Sequence, residues 1–578
     1  VQLERRTKQP AQTIAQFLVK RGQYLWGTGA YVLSTRPPET AYRTVIIDEA
    51  SMLTEEQLAA TLSAFSGVER LILVGDPRQL PPIGAGRPFV DIVNRLKPPD
   101  IETSFPRVGP CYAELTIRRR VKGKERDDVL LAEWFSGQPL DPGADQIWGK
   151  VVHTQSDNAS PVEESDTLRL IQWTTEQDLH DKLIDAIMQE LGLAGRDDLQ
   201  GFERAIGGSE FNGQIYFHPA RNGNPGAAEQ VERWQILSPV NGRAHGVKDL
   251  NRVIQRQFRR PIPKNRYWST PDPIGDEEIV YGDKVINTSN HRRPDVYPPA
   301  DALGYIANGE IGIVVGQYKG SKATYKGKPR KLEVEFSSQP GFKYGFWGSD
   351  FSGESTATLE LAYAVTIHKA QGSEFGTTFL VLPHPLPMMS RELLYTALTR
   401  QQRRVVILHQ GDLTELKRFD SVIHSETARR QTNLFAPPRI IEIDGTFLEA
   451  SLIHRTSTGI AVRSKSEVII ADRLDAHGIP YAYEQPLPGF DDTVWYPDFT
   501  IDDAETGNKV FWEHLGLLHD PEYRSRWERK RAAYRAMGII SRDEAEGSVG
   551  TLVVTRDDER GGINAQEIDA LIVEVFGR

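Results

Sequence analysis

Short apolar runs rich in β-branched residues alternate with amphipathic stretches along most of the chain. The first run is Thr44-Val-Ile-Ile-Asp48, whose unbroken apolarity predicts a buried parallel strand. A helical period follows from Thr54 to about Phe65, then a second strand from Arg70 to Val74. Strand, helix, strand in that rhythm predicts an α/β unit. The rhythm returns at Gln235–Ser238 with a helix from about Gly246 to Phe258, and closes with strands at Leu361–Ile367, Thr378–Leu382 and Val405–His409. Residues 265–355 are rich in Gly, Pro, Tyr and short β runs such as Asp283–Asn287 and Ile311–Val315, which predicts a small β-barrel inserted into the α/β domain. Residues 140–165 and Gly207–Ala228 read as loops, and 411–455 as a connector. From about 456 the pattern restarts as an α+β or α/β unit. A helix opens at Ser464, carries Val468, Ile469, Ile470 and Leu474, and stops at Gly478. Ser464 or Ser466 is its predicted cap. A strand at Tyr481–Gln485 follows, then Trp495–Ile501 and Val510–Gly516, two strands joined by a polar turn near Asp502–Asn508.

At 578 residues the chain has room for roughly three to five domains. No apolar run approaches the ~20 residues a membrane helix needs. The single cysteine, Cys111, excludes a disulfide framework and a cysteine-rich zinc site, and fits a reducing cytoplasm. The net charge of −10 argues against a uniformly basic nucleic-acid coat but leaves room for a local basic groove. The start, Val1-Gln-Leu-Glu-Arg-Arg6, has no signal-peptide pattern and no initiator Met.

Chemistry enters at Asp48-Glu49, directly after a predicted strand. A carboxylate there can hold Mg2+, and its neighbour can activate a water for attack on a γ-phosphate. After the next strand comes Gly75-Asp-Pro-Arg-Gln-Leu-Pro-Pro-Ile83, which presents Gln79. Ile46–Leu53 together with Gly75–Ile83 resembles motifs two and three of superfamily-one DNA helicases of the RecD type. Further blocks follow in the family's order. Glu114–Arg120 resembles the segment that supplies an arginine to the nucleotide, and Ile236–Gly242 with Gly246 and Leu250-Asn251 the opening of a second motor domain. Gly282–Val285 and Asn308–Gly312 resemble an inserted barrel of the Src-homology-three type. Tyr363–Glu374 resembles motif five and Leu394–Arg400 motif six.

The resemblance covers about residues 1–410 and implies two RecA-like motor domains, ATP as cofactor and 5′ to 3′ movement. It implies Asp48 as the Mg2+ ligand, Glu49 as general base and Gln79 as γ-phosphate sensor. Arg400 and Arg120, the latter favoured over Arg118 by register, would be arginine fingers. Glu374 would lie near the nucleotide, and Thr366 and His368 would meet the DNA backbone. One departure stands out. No Gly-Lys-Ser or Gly-Lys-Thr occurs anywhere, so the phosphate-binding loop G-x-x-x-x-G-K-[ST] is missing. Gln12–Leu18 resembles the family segment just after motif Ia, which leads to the expectation that the chain is truncated within the first motor domain and binds ATP poorly as given.

The second constellation lies in the last unit. Asp498 and Glu513 sit where a hairpin would bring two carboxylates together. Such a pair repels itself unless a cation intervenes, and oxygen donors suit Mg2+ or Mn2+, which could activate a water against a phosphodiester. Glu467 on the preceding helix, Pro497-Asp498 and Glu513-His-Leu515 resemble the PD-(D/E)XK nuclease family, except that the last motif lacks its lysine. Lys530 on the following basic helix is the candidate replacement, and Gln485 a further candidate near the metal. His514 and His519 lack a third ligand for zinc.

The resulting expectation is an α/β multidomain protein. Residues 1–140 would form a first motor domain, 160–264 with 356–412 a second, 265–355 an inserted barrel, 413–455 a connector and 456–578 a restriction-endonuclease-like α/β domain. The expected function is an ATP-dependent DNA helicase or translocase with metal-dependent nuclease activity, in repair, recombination or defence against foreign DNA. It would act in the cytoplasm on single-stranded or partly duplex DNA. The alternative is a DNA-binding scaffold with an inactive motor and an inactive or end-binding nuclease-like domain.

Overall fold

The computed structural model describes residues 7, 9, 11–25, 30–33, 37–84, 86–101, 104–115, 126–138, 145–156, 167–259, 273–318, 331–351, 358–386, 388–421, 424–430, 434–435, 454–457, 460–489, 494–505, 507–516, 521–544, 547–556 and 563–577. Arg118, Arg120, His519 and most of the predicted connector lie outside them.

After a short helix, Ile14–Lys20, and a small antiparallel pair, Tyr24–Leu25 with Ala30–Tyr31, the chain builds a two-stranded parallel sheet from β1 (Thr44–Ile47) and β2 (Arg70–Leu73). Between them runs α1 (Glu55–Ser63), started by a capping box in which Thr54 and Gln57 satisfy each other's backbone N–H groups. After β2 comes α2 (Pro88–Leu96). Ile47, Ala50, Leu53, Leu58 and Phe89 form the core here. The expectation of a fully buried strand fails, since Ile46 is 59% exposed. Among the described residues this sheet has only these two strands, and Leu71 and Ile72 of β2 stay exposed with Ile46.

A second, five-stranded sheet is wholly parallel. Its strands are β3 (Leu168–Trp173), followed by α3 (Glu176–Leu191), and β4 (Trp234–Ser238), followed by α4 (Val247–Phe258). Between β4 and the remaining parallel strands the chain makes an antiparallel sheet of β5 (Lys284–Asn287), β6 (Val296–Tyr297), β7 (Ile311–Tyr318), β8 (Lys331–Phe336), β9 (Lys343–Trp347) and β10 (Leu359–Leu361), in the order β6-β9-β8-β7-β5-β10. It then returns as β11 (Ala364–Thr366), β12 (Phe375–Leu382), α5 (Arg391–Ala397) and β13 (Gln401–Gln410), giving the parallel order β11-β4-β12-β13-β3. All five residues of β4 are buried, as a central parallel strand requires.

The run read as one strand, Leu361–Ile367, is two. Asn251 breaks it by donating to the carbonyls of Leu361 and Ala364 and accepting from the Ala364 N–H, while Tyr363 turns inward to donate to Asp283 at 2.9 Å. The region read as loop at 140–165 contains a helix, Gln146–Ser156, and 207–228 contains a short hairpin, Ser209–Phe211 with Gln214–Tyr216. The apolar spacing of these pieces was too short to read.

The parallel and antiparallel sheets share one core. Lys284 crosses it fully buried, donating to the Trp234 carbonyl at 2.8 Å with its ammonium 5.1 Å over that ring. Burial pushes this lysine down to about 7. Arg259, also buried, bridges Glu203 at 2.8 Å and Asp283 at 3.3 Å. Removing one member of such a set leaves an uncompensated buried charge, at a cost of about 3–5 kcal/mol.

The last unit opens with α6 (Lys465–Ala476), capped by Ser464. It continues through β14 (Ala482–Tyr483), β15 (Phe499–Asp503), β16 (Asn508–Leu515), α7 (Pro521–Ala536), β17 (Ile539–Ser541), β18 (Gly550–Arg556) and α8 (Ala565–Phe576). The sheet order is β14-β15-β16-β18-β17, antiparallel on one side of β16 and parallel on the other. α6 and α8 pack on one face against Phe499, Ile501 and Trp512. α7 packs on the other, where Tyr534 and Met537 meet Phe511 and Leu552. The predicted strand Trp495–Ile501 divides, because Val494-Trp495 pair instead with Leu487-Pro488. No helix among the described residues is long and apolar enough to cross a membrane.

Candidate functional site

Two clusters of ionisable groups lie at strand ends. The first forms where β1 and β2 meet the second sheet. Asp48 follows β1, and its carboxylate accepts the Glu49 N–H at 3.0 Å. Glu49 adopts a left-handed backbone (φ 52°) at the start of a short 3-10 turn, a conformation that costs energy for a residue other than glycine. After β2, Gly75 passes so close to Ser51 and Phe89 that a β-carbon would touch both. Asp76 then holds Arg78 at 2.8 Å and accepts the Tyr395 hydroxyl at 2.9 Å. The Leu80 N–H donates to Thr396 Oγ1 at 3.0 Å, and Gln371 donates to the Leu80 carbonyl at 2.8 Å. The Gly75–Ile83 segment is therefore clamped onto the second sheet. Gln79 Oε1 is buried and has no hydrogen-bond partner among the described residues.

Arg400, 5% exposed at the end of the α5 turn, faces this cluster from the second sheet. Its guanidinium is held by the carbonyls of Thr396 and Ser373 and by Thr399 Oγ1. Burial lowers its affinity for a proton, and the charges of Glu49, Glu374 and Asp76 oppose that. Glu49 keeps solvent contact, yet partial burial raises its carboxyl above the usual range; Arg400 lowers it, and Asp48, Asp76 and Glu374 raise it further. The structure thus brings Asp48, Glu49, Glu374 and Arg400 into one electrostatic neighbourhood, with Gln79 on the adjoining segment. Thr366 is buried and accepts the Lys369 N–H at 3.2 Å. His368 is half-buried in the turn that follows. Missed from the sequence were Asp76 and Tyr395, although both lie inside the quoted motifs.

The second cluster sits on the β15–β16 hairpin. Phe499 pairs with Trp512 and Asp503 with Asn508, so the next rung sets Asp498 opposite Glu513. Asp498 Oδ2 accepts the His514 N–H at 2.6 Å. Glu513 Oε1 receives both Lys530 Nζ at 2.7 Å and the Tyr534 hydroxyl at 2.6 Å, four residues apart and hence on one face of α7. Lys530 also donates to the Tyr496 carbonyl at 2.6 Å. Glu467 accepts from the Arg463 N–H and from Tyr483 and Ser464 hydroxyls at 2.6–3.0 Å. Burial pushes the Asp498 carboxyl well up. Glu513 and Glu467 raise it further, while Lys530 and the His514 N–H oppose. Gln485 is half-buried nearby in sequence, and His514 Nδ1 meets Thr555 Oγ1 at 3.1 Å. Tyr534, Tyr483 and Arg463 were not read as site residues. The four-residue step from Lys530 was the available signal for Tyr534.

Among the described residues no group of three or more His, Cys, Asp or Glu side chains is arranged to hold a metal ion. The donors that fit one best are the paired carboxylates of Asp498 and Glu513. They are all-oxygen and mutually repelling, and Mg2+ commonly uses one or two carboxylates and keeps its waters.

Comparison with known proteins supplies the wider context. The family described as an AAA domain matches residues 1–105, and that described as a UvrD-like helicase C-terminal domain matches residues 361–408. An uncharacterized protein of Methanocaldococcus jannaschii is 26% identical over 92% of this chain and 42% of its own length. At that coverage the match must extend into the unit beyond residue 456. The ATP-dependent RecD2 DNA helicase of Deinococcus radiodurans is 24% identical over 63% of this chain and 36% of its own length. The RecBCD enzyme subunit RecD of Haemophilus influenzae is 22% identical over 68% and 53%. The chain thus spans about a third to a half of the length of these relatives. Among solved structures, the Bacteroides Pif1 helicase in complex with ADP-AlF3 and single-stranded DNA is 15% identical, covering 68% of this chain and 78% of that one at a TM-score of 0.30, too low to bear on the fold. Homology to superfamily-one helicases of the RecD type therefore runs over about two thirds of the chain, and the matched segments include both Asp48 and Arg400.

Proposed function

We propose that the chain carries the motor of an ATP-dependent DNA helicase or translocase, joined to a metal-dependent DNA nuclease of the PD-(D/E)XK type. In this reading residues 1–140 belong to one motor domain, and 160–264 with 356–412 to the other. Residues 265–355 form an inserted barrel, 413–455 a connector and 456–578 the nuclease. The observation that carries the motor assignment is the seam that sets the segment before Arg400 against the strand ends of the first sheet, closed by the Tyr395 hydroxyl on Asp76 at 2.9 Å and the Leu80 N–H on Thr396 at 3.0 Å, with the charges of Arg400 and Glu49 acting on each other across it. A nucleotide held in that seam would bring its γ-phosphate between a carboxylate that activates water and an arginine that stabilises charge on the phosphoryl group. Asp48 would bind Mg2+. The unpartnered Gln79 oxygen leaves one end of that amide free to meet the nucleotide or its water. Arg120 is the second arginine by resemblance, and Thr366 and His368 are the candidate contacts to single-stranded or partly duplex DNA.

At the other site Asp498 and Glu513 would hold Mg2+ or Mn2+, and Lys530 would steady Glu513. The metal, when bound, supplies an activated water for phosphodiester attack. Glu467 adds negative charge behind Asp498. Support for this reading is the opposed pair of carboxylates on a buried hairpin with a lysine on one of them.

The test uses the full-length protein. Single-stranded DNA should stimulate ATP hydrolysis, and Glu49→Gln or Arg400→Ala should reduce that by at least a hundredfold, as single groups acting on a transferring phosphoryl do. Mn2+-dependent DNA cleavage should vanish in Asp498→Ala. Cleavage that survives this substitution, or ATP hydrolysis that survives Glu49→Gln, refutes the corresponding half.

A further inference from the structure

The loop after β4 and the turn of the β15–β16 hairpin meet directly. In the parallel sheet, the connection from β4 leads to β11 on one side, and the chain then crosses to β12 on the other side of β4. β4 and β12 therefore flank a topological switch point, and the crevice outside their carboxyl ends is where open α/β sheets place what they bind. The loops there, after Ser238 and after Leu382, wall a cavity of about 200 Å3 whose lining includes Val240, His245, Leu386 and Met389. Its remaining wall comes from another part of the chain, Gly507 and Asn508 in the turn of the β15–β16 hairpin.

That turn is fitted to the loop. The Asn241 N–H donates to the Ala504 carbonyl at 2.6 Å, and Lys248 pairs with Glu505 at 2.7 Å. Two glycines permit the approach. A β-carbon on Gly242 would overlap the Glu505 carbonyl, and one on Gly507 would overlap Val240. Asp503 ties both sides of the turn, accepting the N–H groups of Gly507 at 2.8 Å and of Glu505 at 3.2 Å. The ladder runs from it without a bulge to Phe499–Trp512, and the next rung is Asp498–Glu513. Phe499, Ile501, Val510 and Trp512 are all buried, so the hairpin can shift only as one piece. At its other side the loop is tied to the motor. Val247 and Lys248, opening α4, donate to the carbonyls of Val240 and Asn241 at 3.0 Å, and Ser238 lies beside Thr366 in register.

We propose that Ala504, Glu505 and Gly507 in the hairpin turn form a latch seated in the switch-point crevice of the second parallel sheet, through which the loop after β4 sets where the Asp498–Glu513 pair lies against Lys530 and Tyr534 of α7. The inference rests on the reading of those carboxylates as a nuclease site. The occupant of the crevice is this segment of the chain itself, and the effect is mechanical. A motor loop that moves with its strand displaces one end of a rigid hairpin whose other end bears the carboxylates.

Gly242→Val in the full chain tests it. Gly242 does not use a left-handed backbone, and the atoms its side chain would meet first all belong to Glu505, so the substitution pushes off the turn rather than the motor loop. Hydrogen exchange should quicken at least tenfold along 499–503 and 508–514, while β4 and β12 keep wild-type protection. Faster exchange confined to the turn, or none, overturns the latch. Should β4 also loosen, the charge pair decides. Lys248→Glu should speed exchange in the hairpin and the Lys248→Glu/Glu505→Lys double variant should restore it; failure to restore overturns the proposal. Mn2+-dependent cleavage is followed in parallel. A wild type that does not cut refutes the nuclease reading alone, and the exchange result still judges the latch. A wild type that cuts, with Gly242→Val needing the same Mn2+ concentration, overturns the coupling, and a raised requirement supports it.

Discussion

Asp498 shows how a single residue ties stability to chemistry. Its carboxyl is raised by burial first and by Glu513 next. A carboxyl whose folded pKa exceeds its unfolded one favours the fold while it holds its proton; that contribution is present below the ordinary carboxylate range and lost as pH rises through the raised value. Asn cannot ionise and still offers an oxygen to the His514 N–H. In metal-free protein, Asp498→Asn should therefore raise the melting temperature of the last unit at pH 8 and leave it nearly unchanged at pH 5, followed by calorimetry. Mg2+ or Mn2+ should erase that advantage by stabilising only the wild type. Equal melting of both proteins at pH 8 would show that Asp498 is not strained by its neighbours. At this scale the sequence was legible where a residue type has few uses in its context. Asp498 and Glu513 could be named from their spacing, and Glu467 and Lys530 from the family resemblance; in the structure Lys530 pairs with Glu513, and Glu513 and Glu467 both act on Asp498. Tyr534 and Tyr483 could not be singled out, because a tyrosine that orients a carboxylate reads the same as one that fills a core.

Elements were legible in proportion to how uniform their surroundings are. β4 is buried throughout, so its apolar run stood out. β3 was missed because among the described residues it is the edge strand of its sheet, pairing only with β13, and Leu168-Arg-Leu-Ile-Gln-Trp173 mixes polar residues into the run. The break inside Leu361–Ile367 depends on Asn251, more than a hundred residues away, and on Asp283; no local pattern carries that information. β1 was read as buried, yet burial belongs to the layers around a strand and not to the strand itself. The hairpin is the opposite case. Its polar turn and two apolar arms predicted the pairing of Asp498 with Glu513, since an antiparallel register follows from turn length once the arms are in place. The reach of that turn into the second sheet was invisible, because Gly242 and Gly507 look like any other loop glycines until the two segments meet.

Across the whole molecule, the two candidate motor sheets communicate through a narrow polar seam. Leu80, 1% exposed, inserts into the core of the second sheet, and its backbone is held by Thr396 and Gln371. Tyr395 donates to Asp76, while Arg78 stacks 5.1 Å from the Tyr395 ring and pairs with Asp76. Apart from Gln371, every member of this set lies on the segment beside Gln79 or on α5, which precedes Arg400, so the seam offers a path by which a change at one candidate nucleotide contact reaches the other. Tyr395→Phe isolates it. The ring, and with it the stacking of Arg78, is kept, and the hydroxyl bond to Asp76 is lost. A hydrogen bond to a charged group contributes about 1.5–3 kcal/mol, which corresponds to roughly a tenfold to hundredfold change in a rate. The expected outcome is a fall of at least tenfold in the kcat of DNA-stimulated ATP hydrolysis, with nucleotide binding, measured by fluorescence titration, within about twofold of wild type, because Asp76, which accepts that hydroxyl, is not a candidate nucleotide contact. An unchanged kcat would mean that the sheets close on the nucleotide without this bond. A loss confined to nucleotide affinity would place Tyr395 in the binding of ATP instead of in the coupling between the sheets.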